Sequence, residues 1–257
     1  MAYSLKVLYS GSTGNAALLT LNGTSVLIDA GRTAKALCGA LCEAGVSPDS
    51  LSAIFITHEH RDHTAALEVF LKHHPMPVHA AGESAKALSA CPAIAACLVS
   101  HPPLYTATVG PFSFSSFCTS HDSLQSVGYR IGFTDGDTPV LLGYATDLGV
   151  VTPAVECGLT GCEGVVLECN HDEELLMTGP YPYHLKRRIA SRQGHLSNRD
   201  CAAFSARLAA NGMKRLLLAH LSETNNLPDL ALGEVRAALA GTAVQIAAAS
   251  PTEITEL

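Results

Sequence analysis

Ile54-Phe55-Ile56-Thr57-His58-Glu59-His60-Arg61-Asp62-His63 takes the chain out of an apolar run and delivers three imidazoles and two carboxylates within six residues. The stretch Leu51–Thr57 reads as a buried strand. Just past its end, His58 and His60 can point one way, while Asp62 and His63, opening the next helix, turn to a second point a few ångströms off. That geometry suits two metals side by side. Imidazole plus carboxylate without thiolate is a ligand set for Zn, Mn or Fe.

Further candidates fall at other strand ends. Asp29 closes Val26-Leu27-Ile28, His121 follows Phe114–Cys118, Asp147 follows Leu141–Tyr144, and His220 follows Leu216–Ala219. Ligand sites of α/β architectures gather at such ends. Around them, residues 4–9, 16–21 and 24–29 read as a meander with Asn22-Gly23 as a hairpin turn. Helix 33–44, helix 64–73, strand 77–80 and helix 83–90 then alternate with the strand already named. The middle reads as strands at Tyr105–Val109, Phe112–Cys118, Val127–Phe133 and Val140–Tyr144. Helices are expected over 152–157, 182–191, 198–211 and 229–240, and strands at Gly164–Cys169, Arg215–Ala219 and 243–248. This pattern predicts an α/β fold of two β-rich halves packed face to face with helices outside, in one domain over 1–257.

Composition bounds the function. With 257 residues, 47% of them apolar and only 15% charged, the chain has ample material for a core and is not disordered. No apolar run approaches the ~18 residues of a membrane span, and Met1-Ala2-Tyr3-Ser4-Leu5-Lys6-Val7 enters a strand with no leader pattern, so a cytoplasmic location is expected. Nine cysteines, an odd number with no Cys-x-x-Cys pair, read as reduced thiols in helices and core. The net charge of −7 argues against a polyanionic partner, but each bound divalent cation adds two positive charges. Lys186, Arg187, Arg188, Arg192 and Arg199 also lie within 14 residues that hold no acid. That run is either a solvated helix face or a phosphate-binding surface.

His58-x-His60-x-Asp62-His63, with Asp29 before it and His121, Asp147 and His220 after it, resembles the motif series of the metallo-β-lactamase-fold hydrolases over nearly the whole chain. The resemblance implies a four-layer αββα sandwich. It implies one divalent ion on His58, His60 and His121, a second on Asp62, His63 and His220, and Asp147 bridging them. Asp29 would accept a hydrogen bond from a ligand and fix its orientation. Ser10-Gly11-Ser12-Thr13-Gly14-Asn15, Ser120-His121-Asp122-Ser123, Leu167-Glu168-Cys169-Asn170-His171-Asp172 and Gly194-His195-Leu196-Ser197-Asn198 are similar to the YycJ-like (WalJ- or VicX-like) group, whose members are regarded as nucleases or phosphodiesterases. Gly194-His195-Leu196-Ser197 also resembles a segment of tRNA 3′-processing endonucleases whose histidine gives a proton to the leaving group. Asn170 stands near the position of that histidine's partner acid, so the resemblance supplies His195 with no carboxylate there.

The expectation is a metal-dependent phosphodiesterase with two divalent transition metal ions, Zn or Mn and possibly Fe. Nucleic acid or another phosphodiester would be its substrate. Asp62 would bind metal and orient water, and His195 would serve as general acid. Asn170 and His171 are expected behind the ligands. Ser12, Asn15, Lys186, Arg187, Arg188, Arg192, Ser197 and Asn198 are the candidates for substrate phosphate. A hydrolase of a small ester, thioester or cyclic phosphodiester is the alternative, and a metal-bound scaffold a third. Open basic ground beside the metals favours nucleic acid, and a closed apolar pocket favours a small molecule.

Overall fold

The computed structural model describes residues 3–257. The chain opens with β1 (Tyr3–Tyr9), β2 (Ala16–Leu21) and β3 (Thr24–Ile28), and Asn22 and Gly23 take φ of 49° and 81° to close the expected hairpin. There follow α1 (Ala34–Glu43), β4 (Leu51–Phe55), α2 (Arg61–Thr64), α3 (Leu67–His73), β5 (Val78–Ala81), α4 (Gly82–Leu88), α5 (Pro92–Ala95) and β6 (Leu98–His101). The second half runs β7 (Thr106–Val109), β8 (Phe112–Cys118), β9 (Val127–Asp135), β10 (Thr138–Ala145), α6 (Pro153–Leu159), β11 (Gly164–Glu168), α7 (Glu173–Thr178), α8 (Tyr183–Ile189), α9 (Asn198–Ala210), β12 (Arg215–Ala219), α10 (Pro228–Ala238), β13 (Gln245–Ala248) and β14 (Thr255–Glu256).

The strands form two mixed sheets with matching plans. One has the order β14-β1-β2-β3-β4-β5-β6 and the other β13-β12-β11-β10-β9-β8-β7. In each, a hairpin-joined antiparallel part gives way to parallel strands: β3 pairs parallel with β4 in the first, and β10 parallel with β11 in the second. The parallel strands β5 and β11 are buried at every position, as expected of strands covered on both faces. The inner faces share a core of Val7, Leu19, Ile28, Phe55, Phe114, Tyr129, Leu142 and Leu217. There the Phe55 and Phe114 rings stack with centroids 3.8 Å apart. A second apolar layer lies under α1, α3 and α4, and a third under α6, α9 and α10. The layers therefore read helix, sheet, sheet, helix, as expected.

Several elements depart from the sequence reading. Helix 64–73 is two pieces, α2 and α3, because the chain turns at Ala65-Ala66 after presenting Asp62 and His63. The short α5, α7 and the edge strands β6 and β14 were not expected. Each spans six residues or fewer, too short for apolar periodicity to register. Helix 182–191 shortens to α8, with no buried residue.

Candidate metal centre

The ends of β3, β4, β8, β10, β11 and β12 converge on one edge of the sandwich. Asp29, Asp147 and His220 follow β3, β10 and β12, and all three take a left-handed backbone, with φ of 61°, 57° and 56°. Non-glycine residues rarely do this, and such strain concentrates at functional sites. It turns each side chain off its strand toward a common point. Close backbone approach adds a second constraint. A Cβ on Gly31 would stand 2.0 Å from the Asp62 carbonyl oxygen, where the backbone N–H of Asn15 donates to that same oxygen at 2.8 Å.

Among the described residues, three groups of side chains could hold a cation. The ligand atoms of His58, His60 and His121 lie within 4.8 Å of one another, and so do those of Asp62, His63, Asp147 and His220; the third group, Asp147, Glu168, His195 and His220, shares two residues with the second. Asp147 stands between the first two: Oδ2 is 3.0 Å from His63 Nε2, and Oδ1 is 3.7 Å from both His121 Nε2 and His220 Nε2. Nε2 of His58 is buried and has no hydrogen-bond partner among the described residues. An unpaired buried ring nitrogen costs free energy unless something fills its lone pair. With imidazoles and carboxylates converging around it, this donor set fits divalent transition cations.

Buried partners orient these ligands. His63 Nδ1 donates to Asp29 Oδ2 at 2.8 Å, leaving Nε2 turned to the centre, and Asp29 is itself held by the backbone N–H of Thr57 at 2.8 Å and by its hydroxyl. Asp29 thus accepts a hydrogen bond from one of the candidate ligands. His121 Nδ1 donates to the Gly194 carbonyl at 3.1 Å.

Electrostatics within the donor set follow from crowding. Burial lowers His58 well below the usual histidine range, with neighbouring histidines adding to it. For His63 burial pulls the same way, but the carboxylates of Asp147, Asp29 and Asp62 outweigh it and raise it well above that range. His220 is likewise pushed up to about 10, chiefly by Asp147 against burial. Asp62 and Asp147 stay ionised despite burial because histidines face them.

Glu168, to which the sequence reading gave no role, organises the second half of the site. It is the last residue of β11 and fully buried. Its Oε1 accepts from His195 Nδ1 at 2.7 Å and from His220 Nδ1 at 3.0 Å. Its Oε2 accepts from the backbone N–H groups of Leu148 at 2.8 Å and Leu196 at 3.2 Å. Burial would raise its pKa, yet His195 and these bonds draw it down to about 2. In return Glu168 raises His195, overcoming burial. The absence of an acid at Asn170 therefore does not leave His195 without a carboxylate; the acid comes two residues earlier, at the strand end. The signal available was an acid closing the otherwise apolar run Gly164–Leu167.

Asn170 instead donates to the His220 carbonyl at 2.8 Å, and its Nδ2 lies 3.3 Å from His220 Nδ1. His171 is 2% exposed.

Several expected phosphate contacts are corrected by burial. Asn15 is fully buried: its Oδ1 accepts from Gly11 N–H at 3.0 Å, and its Nδ2 lies 3.1 Å from His63 Nε2. Asn198 is buried too, paired with Asn226 through Nδ2 at 2.9 Å. Ser197 is the N-cap of α9, accepting from Asp200 N–H. Asn15 and Asn198 offer no free group on open surface, whereas Ser197 lines a cavity beside His195. Ser12 is exposed and lines a 240 Å³ cavity with Asp122, Tyr181, Arg188 and His195. Of the basic run, only Arg188 reaches that cavity, and it is paired with Asp122. Lys186 Nζ donates to the Met177 carbonyl at 2.7 Å, capping α7. The Arg187 guanidinium lies over the Tyr183 ring at 6.0 Å, and Arg192 is exposed.

A chain with this two-sheet sandwich and this His/Asp cluster belongs to the metallo-beta-lactamase superfamily, whose pattern matches residues 9–180. Among curated proteins it is 34% identical over 235 residues to "Exodeoxyribonuclease WalJ" of Streptococcus pneumoniae serotype 2, covering 90% of this chain and 86% of that protein. It is 32% identical over 240 residues to "Exodeoxyribonuclease YycJ" of Bacillus anthracis, covering 90% and 87%. Among solved structures, the metallo-beta-lactamase fold protein YhfI from Bacillus subtilis superposes with a TM-score of 0.74 at 17% identity, covering 99% of each chain, a likeness of fold.

Proposed function

We propose that the chain, acting as one domain over 1–257, is a metal-dependent phosphodiesterase that hydrolyses nucleic acid from its ends in the cytoplasm, with two divalent transition cations, Zn or Mn. The carrying observation is the pairing of a double donor set, shared through Asp147, with a separate histidine held by a buried carboxylate. Both curated relatives bear exodeoxyribonuclease names.

Cations on the two groups would supply a water nucleophilic at neutral pH and neutralise charge on the phosphoryl oxygens. Asp62, about a quarter exposed, faces the centre from the start of α2 and orients the attacking water while accepting its proton. His195 stands on the other side of Asp147, with its Nδ1 3.6 Å from Asp147 Oδ1. Since Nδ1–H is donated to the ionised Glu168, Nε2 is the nitrogen left to protonate the departing sugar oxygen. The carboxylate also favours the imidazolium form needed for that donation. Arg188 and Ser12 supply donors to flanking phosphate on the basic side, with Arg188 exchanging Asp122 for phosphate.

Hydrolysis of bis-p-nitrophenyl phosphate, a thioester, and end-labelled DNA and RNA should be measured in parallel on metal-reconstituted protein. Turnover of nucleic acid with release of short products is expected. Thioester turnover with nucleic acid untouched would overturn the proposal.

A further inference from the structure

Two cavities of 240 Å³ meet at His195, one lined by the Arg188–Asp122 ion pair and the other by the carboxylates of Glu173 and Asp200. Beside the one holding Ser12 and Arg188, the second is lined by His171, Glu173, Leu176, Met177, Asp200 and His195. The surface next to it carries Asp172, Glu173, Glu174 and Glu234 around Arg199, whose Nη1 lies 3.8 Å from Glu173. The nearby Lys186 ammonium is spent on the Met177 carbonyl.

This second cavity is built for an uncharged ring. His171 is 2% exposed, and its Nδ1 is buried with no hydrogen-bond partner among the described residues. Burial holds the imidazole neutral down to about pH 4, so it offers one hydrogen bond with no charge to attract phosphate. Leu176 gives an apolar wall, and Met177, 54% exposed, presents a polarisable thioether at the edge. At 240 Å³ the space is below the roughly 300–1,000 Å³ typical of drug-sized ligands, a size for one base. Glu173 and Asp200 repel any phosphate that would follow.

Resting on the nucleic-acid reading above, we propose that this cavity receives the terminal nucleoside of a strand. Its base lies against Leu176 and Met177 with a hydrogen bond to His171, and the carboxylates of Glu173 and Asp200 bar the chain from continuing. An acidic stop on one side of His195 and the cavity of Ser12 and Arg188 on the other make hydrolysis end-directed.

Two readouts test this. With the slow Asp62→Asn protein, a fluorescent adenine analogue at the end of an oligonucleotide should change its emission on binding, and the same analogue at an interior position should not. Adding Met177→Trp, which fills the cavity from a half-exposed position, should weaken binding of the end-labelled strand roughly tenfold. In turnover, the wild-type protein should degrade a linear strand and spare a circular one, and Glu173→Gln with Asp200→Asn should allow circles to be cut. Thermal melting checks that each variant folds. Equal emission changes at both label positions would overturn the proposal while leaving the end-directed nuclease reading intact, whereas circles cut by the wild type as fast as linear strands would overturn both. Hydrolysis of a small diester with no nucleic acid cut would mean that the nuclease reading itself is wrong.

Discussion

The two halves of the molecule build nearly the same sheet and supply the centre in opposite ways. From the first half, His58, His60, Asp62 and His63 come off a single strand end within six residues, with Asp29 on the neighbouring strand holding His63. In the second half, His121, Asp147, Glu168, His195 and His220 come from five separate segments, brought together only by the sheet order β12-β11-β10-β9-β8. Glu168 then joins three of those segments through four hydrogen bonds. One half carries its donors on a contiguous loop; the other depends on a buried carboxylate to hold dispersed ones in register.

The largest expected effect breaks the first half's contribution. Asp62→Asn keeps shape but loses the negative charge and the proton-accepting capacity. Hydrolysis of bis-p-nitrophenyl phosphate should fall by about 10²–10⁴-fold with the fold retained. Near-normal turnover at full metal content would remove Asp62 from its orienting role.

The same contrast decides what the sequence could tell. The contiguous motif and the acid or histidine after each apolar run were legible, because a strand end is a local signal. Glu168 gives no comparable signal because it falls inside the expected strand Gly164–Cys169, whereas the strand ends at Glu168 itself. Its function depends on two histidines 27 and 52 residues away. Asn15 and Asn198 looked like surface donors because Gly-rich loops and helix starts are usually exposed. Their burial arises from long-range packing against Asp62 and Asn226 that no local pattern encodes. The basic run reads as one cluster in sequence, yet a helix with no buried face spreads it, and only Arg188 lines the cavity beside His195.

Glu168→Gln tests the second half. Without the charge, His195 and His220 lose their shared acceptor and His195 loses the support for its protonated form. Turnover of substrates with poor leaving groups should fall roughly 10²-fold, and that of an activated nitrophenyl diester far less. Equal losses on both would assign Glu168 to the metal groups alone.

A smaller effect lies in the first sheet, outside the centre. His79 is stacked between Phe55 and His101, with ring centroids 4.4 and 5.1 Å away. Burial, with His101 adding to it, lowers its pKa to about 4 against 6.5 unfolded. The unfolded chain therefore binds a proton that the folded one refuses between those values. The stabilising contribution is complete above pH 6.5 and is lost as pH falls through about 4. In metal-free protein, His79→Phe should flatten the fall of Tm over that window by roughly 2–4 °C. A parallel pH curve would show that His79 titrates alike in both states.

The smallest expected effect is on ionic strength alone. Arg187→Ala or Arg192→Ala should lower the salt slope of duplex binding by at most about 0.9 for each phosphate left without its arginine, with turnover of the small diester unchanged. An unaltered slope would make these arginines a solvated face.

Shared coordination through Asp147 is the account's central claim, and metal stoichiometry tests it most directly. Protein stripped of metal, reconstituted with zinc or manganese and freed of excess should hold close to two ions per chain by elemental analysis, one on His58, His60 and His121 and one on Asp62, His63, Asp147 and His220. Asp147→Ala should reduce that to one or fewer while the protein stays folded. Two ions retained in the variant, or a single ion in the wild-type protein at saturation, would contradict it.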